Sequence, residues 1–284
     1  MSERERWAPL SMTLAGVPFR GVSVAGRETW FHVPSLDLAF DVGRSPADVV
    51  PAPSLFLSHA HLDHAGGLAH WASQRRLLRL PEARVFTDAS AVPAWRQILA
   101  LHGGLEGVDY HVSVEPLAPG GSVELRRDLS VAAFRADHKV PALGFVASEV
   151  RRRLVPAWRG RAEAEVREAI LRGEAVTERS ARPILAFSGD TGVGFFDSAP
   201  REALEAKVLL LECSFVDPED VPRARHYGHL HVDDVAERAE LFANEALVLT
   251  HLTLRSTPEE LRAAIARRLP ASLAARVVPF LPEG

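Results

Sequence analysis

The chain alternates short apolar runs with polar or glycine-containing breaks, a pattern that predicts many short strands and helices. An N-terminal meander of strands is predicted at residues 14–19, 22–24, 29–33 and 36–42. Later strands are predicted at 55–57, 83–87, 108–117, 122–125, 129–134, 183–187, 207–211, 246–250 and 277–281. Helices are predicted at 67–79, 92–101, 163–171 and 257–268, the last with Thr257 as its N-cap and Pro258 at its first position. This mixture indicates an α/β protein.

Polar residues suited to metal or proton chemistry follow several of these predicted strands. They are His59 with His61, His138, Asp190, Glu212 and His251. In an α/β sandwich the loops at one edge of the sheets collect functional groups, so residues separated by almost 200 positions can converge there.

The densest group, His59-x-His61-x-Asp63-His64, directly follows Leu-Phe-Leu at 55–57. Imidazole and carboxylate are the ligands of zinc, and alternate residues of an extended segment point to one side. His59 and His61 can therefore bind one ion, with His138 as a third ligand, whereas Asp63 and His64 lie where a second ion could bind. Asp41, at the end of an earlier strand, is either an acceptor that orients a ligand histidine or a turn residue.

Composition limits the classes of protein. The 284 residues are 47% hydrophobic, enough for a sizeable core, yet no apolar run approaches the roughly 20 residues of a membrane span. Because the N-terminus lacks an apolar signal core and Cys213 is the only cysteine, we expect a cytoplasmic protein without an internal disulfide. The formal charge of −4 excludes a strong global attraction for nucleic acid.

Residues 151–182 differ from the rest because they contain nine arginines against five glutamates. This segment is either a solvated helical insertion or a basic arm that contacts phosphates.

Several motifs resemble the metallo-β-lactamase superfamily and, within it, the RNase Z family, endonucleases that remove the 3′ trailer from precursor tRNA. The first histidine cluster marks the superfamily. The closer resemblance rests on His138-x-x-Pro141-x-x-Gly144-Phe145, Phe187-Ser-Gly-Asp190-Thr, Leu211-Glu212-x-Ser-Phe215, Gly228-His229-x-His231 and His251-Leu-Thr-Leu-Arg255. It extends from about residue 20 to 257, and details such as Phe-Asp-Val-Gly-Arg at 40–44 resemble the short plant-type enzymes.

The resemblance implies a four-layer αββα sandwich over residues 1–284, with 149–182 as a short helical basic insertion that serves as a substrate-binding arm. It implies two zinc ions, or Mn²⁺ or Fe²⁺ in their place. One ion would be held by His59, His61, His138 and Asp190, and the other by Asp63, His64, Asp190 and His251. It also implies precursor tRNA as partner and a homodimer, while the short apolar runs predict no membrane association.

The implied reaction is phosphodiester cleavage by metal-activated hydroxide, with a proton delivered to the departing ribose oxygen. The predicted catalytic residues are Asp63, Glu212 and His229, and His231 remains an alternative proton donor. Ala142, Phe145 and Ser256 stand where the family has Ser, Tyr and Tyr respectively, which weakens the assignment of the substrate. The alternative is a binuclear hydrolase of a small phosphodiester, thioester or lactone. A metal-binding protein without catalysis is disfavoured because no ligand position is visibly lost.

Overall fold

A computed structural model describes residues 8–253 and 255–282. The strands are β1 (Leu10–Leu14), β2 (Val17–Val24), β3 (Glu28–Val33), β4 (Leu38–Phe40), β5 (Ser54–Phe56), β6 (Ala83–Thr87), β7 (Val112–Pro116), β8 (Ser122–Arg126), β9 (Leu129–Arg135), β10 (Leu143–Leu154), β11 (Thr177–Phe187), β12 (Val208–Glu212), β13 (Ala246–Thr250) and β14 (Val277–Pro279). The α-helices are α1 (Leu62–Ala65), α2 (Leu68–Leu77), α3 (Val92–Glu106), α4 (Glu163–Leu171), α5 (Phe195–Ser198), α6 (Arg201–Glu205), α7 (Val221–Tyr227), α8 (Val232–Ala236), α9 (Pro258–Arg268) and α10 (Ala271–Ala274). Short 3₁₀ helices are Pro34–Leu36, Pro156–Trp158, Pro218–Asp220 and Ala239–Leu241.

The strands form two seven-stranded sheets. The N-terminal sheet has the order β1-β2-β3-β4-β5-β6-β7, antiparallel from β1 to β4 and parallel from β4 to β7. The C-terminal sheet has the order β14-β13-β12-β11-β10-β9-β8, with β11 to β14 parallel. Parallel strands end at the same edge of a sheet, so the loops after β11, β12 and β13 lie side by side.

Apolar side chains fill three layers between and outside the sheets. Between the sheets, Phe145 packs against Phe40 and Phe56 with ring centroids 5.9 and 5.3 Å apart. Outside the N-terminal sheet, a cluster with Trp71 of α2 covers one face, and outside the C-terminal sheet Leu261 of α9 belongs to the third cluster. Helices therefore cover both outer faces, which confirms the αββα sandwich.

The first hairpin corrects one predicted boundary. Leu14 and Val17 pair across a turn formed by Ala15 and Gly16, whose φ angles are 47° and 77°. Two positive φ angles suit a tight hairpin turn because their twist matches that of the strands. The predicted strand at 14–19 is thus wrong: it spans the turn, and its second half joins residues 22–24 in β2.

The insertion is only partly helical. Helix α4 has the predicted bounds, but it is carried by a two-stranded ribbon in which β10 and β11 pair as far as Leu154 with Thr177. Strand β9 accompanies β10 only to Glu149, and β12 meets β11 only from Leu185. The ribbon beyond those points extends past the sheet.

In residues 8–253 and 255–282, none of the helices combines the length and apolarity needed to cross a bilayer.

Candidate metal centre and catalytic site

Two groups of potential metal ligands meet at the strand ends. The first comprises His59, His61, His138 and Asp190, and the second comprises Asp63, His64 and His251. Within each group, one nitrogen or oxygen atom of every residue lies within 4.8 Å of the others. The segment after β5 supplies four of these residues because the chain stays extended through His61 and then turns into α1.

Asp190 lies between the two groups. Its Oδ1 is 3.3 Å from Nε2 of His64, and its Oδ2 is 3.7 Å from Nε2 of His59 and 3.5 Å from Nε2 of His251. In the second group, Oδ2 of Asp63 is 3.6 Å from Nε2 of His251. The carboxylate of Asp190 can therefore contact ions on both sides.

Hydrogen bonds outside the centre fix the orientation of four imidazoles. Nδ1 of His64 donates to Asp41 at 2.7 Å, and Nδ1 of His59 donates to Ser58 Oγ at 3.0 Å. In the same way, Nδ1 of His138 donates to the Gly228 carbonyl at 3.1 Å, and Nδ1 of His251 donates to Ser214 Oγ at 2.8 Å. With the proton on Nδ1, each Nε2 presents a lone pair to the centre, as a metal ligand must.

These inward lone pairs fit a bound cation. Nε2 of His64 and Nε2 of His251 are 3.4 Å apart, as are Nε2 of His138 and Nδ1 of His61. Nε2 of His59 is buried and has no hydrogen-bond partner among the described residues. Buried acceptors that face one another without a donor are costly, so a cation between them would stabilise the arrangement.

The electrostatics favour positive charge. Burial raises the pKa of Asp190, but the nearby His251, His64 and His59 outweigh it and hold this pKa well below its usual range. Likewise, burial raises the pKa of Asp63, yet the neighbouring side chains of His251 and His64 lower it to about 2. Both carboxylates are therefore anions at neutral pH.

Glu212 and His229 form a second unit beside the metal centre. Nδ1 of His229 donates to Oε1 of Glu212 at 3.1 Å, and the same oxygen accepts from the Leu230 amide at 2.8 Å. The other oxygen accepts from the amide and the hydroxyl of Ser214 at 2.9 and 3.0 Å. Burial lowers the pKa of His229, but the charge and hydrogen bond of Glu212 outweigh it and raise this pKa to about 9. The ring of His229 stacks on that of His251 at 5.2 Å, so the unit faces the centre.

His231 points elsewhere. Its side chain is fully buried, its Nε2 donates to the Asp217 carbonyl at 2.9 Å, and its Nδ1 accepts from the Asp233 amide as the N-cap of α8. Both ring nitrogens are therefore occupied by the fold.

The structure brings together every predicted ligand and the pair Glu212 and His229, and it adds residues that sequence reasoning missed. Ser58 and Ser214 orient His59 and His251; Ser58 directly precedes the first histidine cluster and Ser214 belongs to the Leu211–Phe215 motif, but neither had been given a role. That adjacency was the available signal. Ser23, whose Oγ accepts from the amide of His251 at 2.9 Å, is 228 positions away and carried no signal.

The positions of Asp41 and Phe145 bear on two points of the sequence analysis. Asp41 is both an acceptor for His64 and a residue in left-handed conformation, with φ of 53°. Phe145 is fully buried in the core between the sheets, so a hydroxyl missing there removes no contact at the surface.

An αββα sandwich with a histidine and aspartate centre at its strand ends defines the metallo-β-lactamase class of proteins, and residues 31–252 match the family model described as "Beta-lactamase superfamily domain". Over 269 residues the chain is 33% identical to tRNase Z TRZ1 of Arabidopsis thaliana, covering 94% of this chain and 96% of that protein. The chain belongs to the tRNase Z family within this superfamily.

Solved structures support the fold. The metallo-β-lactamase fold protein YhfI from Bacillus subtilis superposes with a TM-score of 0.61 at 13% identity, covering 97% of this chain and 98% of YhfI. The short form of human tRNase Z superposes with a TM-score of 0.54 at 18% identity, covering 88% of this chain and 92% of that one.

Proposed function

We propose that this protein is a metal-dependent endoribonuclease that removes the 3′ trailer from precursor tRNA and leaves a 3′-hydroxyl. The observation that carries this proposal is the Glu212 and His229 pair, which lies against the metal centre with the proton of His229 held in place. A hydrolase of activated esters does not need such a donor, whereas a departing ribose oxygen does. The family membership of the chain supports the same substrate.

The ligand groups fit two divalent ions, which we propose to be zinc. One would be bound by His59, His61, His138 and Asp190, and the other by Asp63, His64, Asp190 and His251. When bound, such a pair supplies an activated water and neutralises charge on the attacked phosphate. The carboxylate of Asp63, whose side chain is 16% exposed, can accept a hydrogen bond from that water and orient it.

His229 is the proposed proton donor. Glu212 holds the Nδ1 proton, so the Nε2 proton of the imidazolium is the one that can be given to the leaving oxygen. The charge of Glu212 favours the imidazolium before the reaction. His231 is not assigned this role because its nitrogens are bonded within the fold.

Residues 149–182 are proposed as a substrate-binding arm on the hydrolase domain. Most of their arginines pair with glutamates on the exposed surface, for example Arg159 with Glu178 at 2.9 Å. Exposed ion pairs contribute only about 0–1 kcal/mol, so RNA phosphates can replace the glutamates. Within the described chain, Arg153 and Arg182 have no such partner, so they can bind phosphates without first breaking an ion pair.

The arm is tested by shortening the ribbon at a paired position. Arg151 and Ser180 face each other, so an Asn-Gly turn between them would remove residues 152–179 and keep the register. We expect precursor cleavage to be lost and bis(p-nitrophenyl) phosphate hydrolysis to remain. Equal loss on both substrates would show that the arm supports the catalytic scaffold instead.

The homodimer is proposed through exposed leucines of α2 and α3. Leu77, Leu101 and Leu105 are 72%, 62% and 85% exposed there. Replacing Leu101 with Glu should yield a monomer by light scattering, whereas Leu171→Glu on the arm, where Leu171 is 81% exposed, should not. A monomeric wild type, or a dimer lost only in the second variant, would contradict this interface.

A cytoplasmic location is likewise proposed, since the thiol of Cys213 is buried and unpaired.

The central experiment incubates the zinc-loaded protein with a precursor tRNA carrying a short trailer and maps the ends of the products. A cut directly after the discriminator nucleotide, abolished in His229→Ala and absent from mature tRNA, is expected. Hydrolysis of small phosphodiesters without any precursor cut would refute the tRNA assignment and favour the alternative, a small-molecule hydrolase.

A further inference from the structure

A small cavity opens beside the metal centre on the side of the proton donor. Its volume is about 210 Å³, and its walls include His138 and His229, together with Lys139, Arg225 and Gly228. Because His229 belongs both to the cavity wall and to the edge of the centre, a group that accepts its proton lies close to the cavity. Phe, Tyr and Trp are missing among the described residues that line it, so it offers no stacking surface for a base.

Lys139 is the basic residue of this cavity that has no polar partner among the described residues. Arg225 is held by Asp234 through bonds of 2.8 and 2.5 Å. The carboxylate of Asp137, also in the wall, accepts from the Gly194 amide at 2.9 Å. Lys139 is exposed and, within residues 8–253 and 255–282, its ammonium has no hydrogen-bond or ion-pair partner.

The side chain of Lys139 passes close to Gly228, next to the centre. A Cβ atom built on Gly228 would lie 3.5 Å from Cγ and Cε of Lys139 and 3.6 Å from Nδ1 of His138. Gly228 has a φ of 76°, and its carbonyl accepts from His138. The lysine therefore lies over a glycine that also orients a ligand imidazole.

The choice of lysine matters in this chain. Of its 33 basic side chains, two are lysines, Lys139 and Lys207, and the remainder are arginines. An ammonium is a compact point charge on a flexible stem, which suits a single phosphate oxygen, whereas a guanidinium prefers planar, bidentate partners.

We propose that Lys139 binds a backbone phosphate of the substrate, namely the one on the 5′ side of the discriminator nucleotide. This assignment rests on the proposed function. In a cut that leaves a 3′-hydroxyl, the leaving oxygen is O3′ of the last retained nucleotide, and His229 faces that oxygen. The sugar–phosphate backbone of the same nucleotide then enters the cavity, and its own 5′ phosphate is the next anion along the chain. Lys139 is a binding residue that positions the retained strand.

The test combines a protein variant with a neutral linkage in the substrate. Two precursors are made that differ only at this phosphate, one with the native linkage and one with an uncharged methylphosphonate. Both carry a 2′-O-methyl group on the preceding sugar, because a free hydroxyl would attack the neutral linkage. Wild type, Lys139→Ala and Lys207→Ala are compared by kcat/KM, and Lys207 is the control because it lies at the other end of β12 from Glu212.

On the native linkage, Lys139→Ala should lower kcat/KM by about 10- to 100-fold, the usual effect of losing one hydrogen bond to a charged group. On the neutral linkage, wild type and Lys139→Ala should agree within about twofold, because the contact is already absent. Lys207→Ala should match wild type on both. Binding of the native precursor to the metal-free protein gives a further test. In Lys139→Ala, the plot of log affinity against log salt concentration should be less steep than in the wild type by about 0.7.

Other results separate the two hypotheses. If the wild type cuts the precursor but Lys139→Ala is unimpaired, or is impaired equally on both linkages, the phosphate contact is refuted and the proposed function stands. If the wild type cuts neither precursor, the proposed function fails and this assignment fails with it. A loss in Lys207→Ala equal to that in Lys139→Ala would mean a general charge effect and would also overturn the contact.

Discussion

The charge of Glu212 is the feature whose removal tests the proposed mechanism most directly. Glu212 is 1% exposed, and its carboxylate outweighs burial to raise the pKa of His229 to about 9. In Glu212→Gln the burial remains and the charge is gone, so we expect this pKa to fall below its ordinary value of 6.5. At 1.36 kcal/mol per pKa unit, the interaction at stake is roughly 3 kcal/mol.

The sign of the effect follows from the direction of the shift. Below the ordinary histidine pKa of 6.5, His229 is protonated and the stabilisation that its charge contributes to the folded state is fully present. Both the proton and this stabilisation are lost as pH rises through the folded-state pKa of about 9. In the variant the imidazole would already be neutral at pH 7.5. NMR titration of histidine-labelled, metal-free protein measures this directly, with Glu212→Asp as a control that keeps the charge.

The metal-loaded enzyme offers a second assay. Loss of a general acid costs about 10²- to 10⁴-fold when the leaving group needs a proton. Precursor tRNA has such a leaving group, whereas nitrophenolate departs without one, so Glu212→Gln should impair precursor cleavage far more than bis(p-nitrophenyl) phosphate hydrolysis. An unchanged pKa of His229, or equal losses on both substrates, would refute the reasoning. Thermal unfolding must be measured beside the assays. The NH₂ group of glutamine would face either the Leu230 or the Ser214 amide N–H, so two donors would meet without an acceptor and the fold could be destabilised.

Further predictions concern the support of the metal centre and the packing beneath it. Asp41→Asn should weaken zinc affinity by about 10- to 100-fold, because a side-chain amide has one oxygen and cannot accept from both the Ser58 amide and Nδ1 of His64. Competition with a chelator measures this affinity, and an unchanged affinity would contradict the prediction. Gly144→Ala should destabilise the fold by about 1–3 kcal/mol, because the new methyl group would overlap the ring of Phe134. A thermal shift like that of Gly104→Ala, where a Cβ meets nothing within 4 Å, would argue against this packing.

Much of the fold was predictable because its signals are local. The bounds of β6, β13 and α4 agree with the predictions, and α9 begins at the predicted cap, where Thr257 and Glu260 form a capping box. The ribbon that carries α4 was not predicted. Its residues are exposed along most of β11, so the chain lacks the alternation of apolar and polar residues by which strands are recognised.

For the candidate site, the sequence by itself determined the chemistry: which side chains are present, and that they follow predicted strands whose loops gather at one edge of the sheets. Only the tertiary structure decided which atoms face one another. His229 and His231 are two positions apart and identical in type, yet one bonds Glu212 and faces the centre while the other caps α8. The difference arises from chain convergence, because Glu212 is 17 positions from His229 in sequence and 3.1 Å from it in space. Residue type and spacing specify what a side chain can do, whereas partners brought from distant strands specify which of its atoms is free to do it.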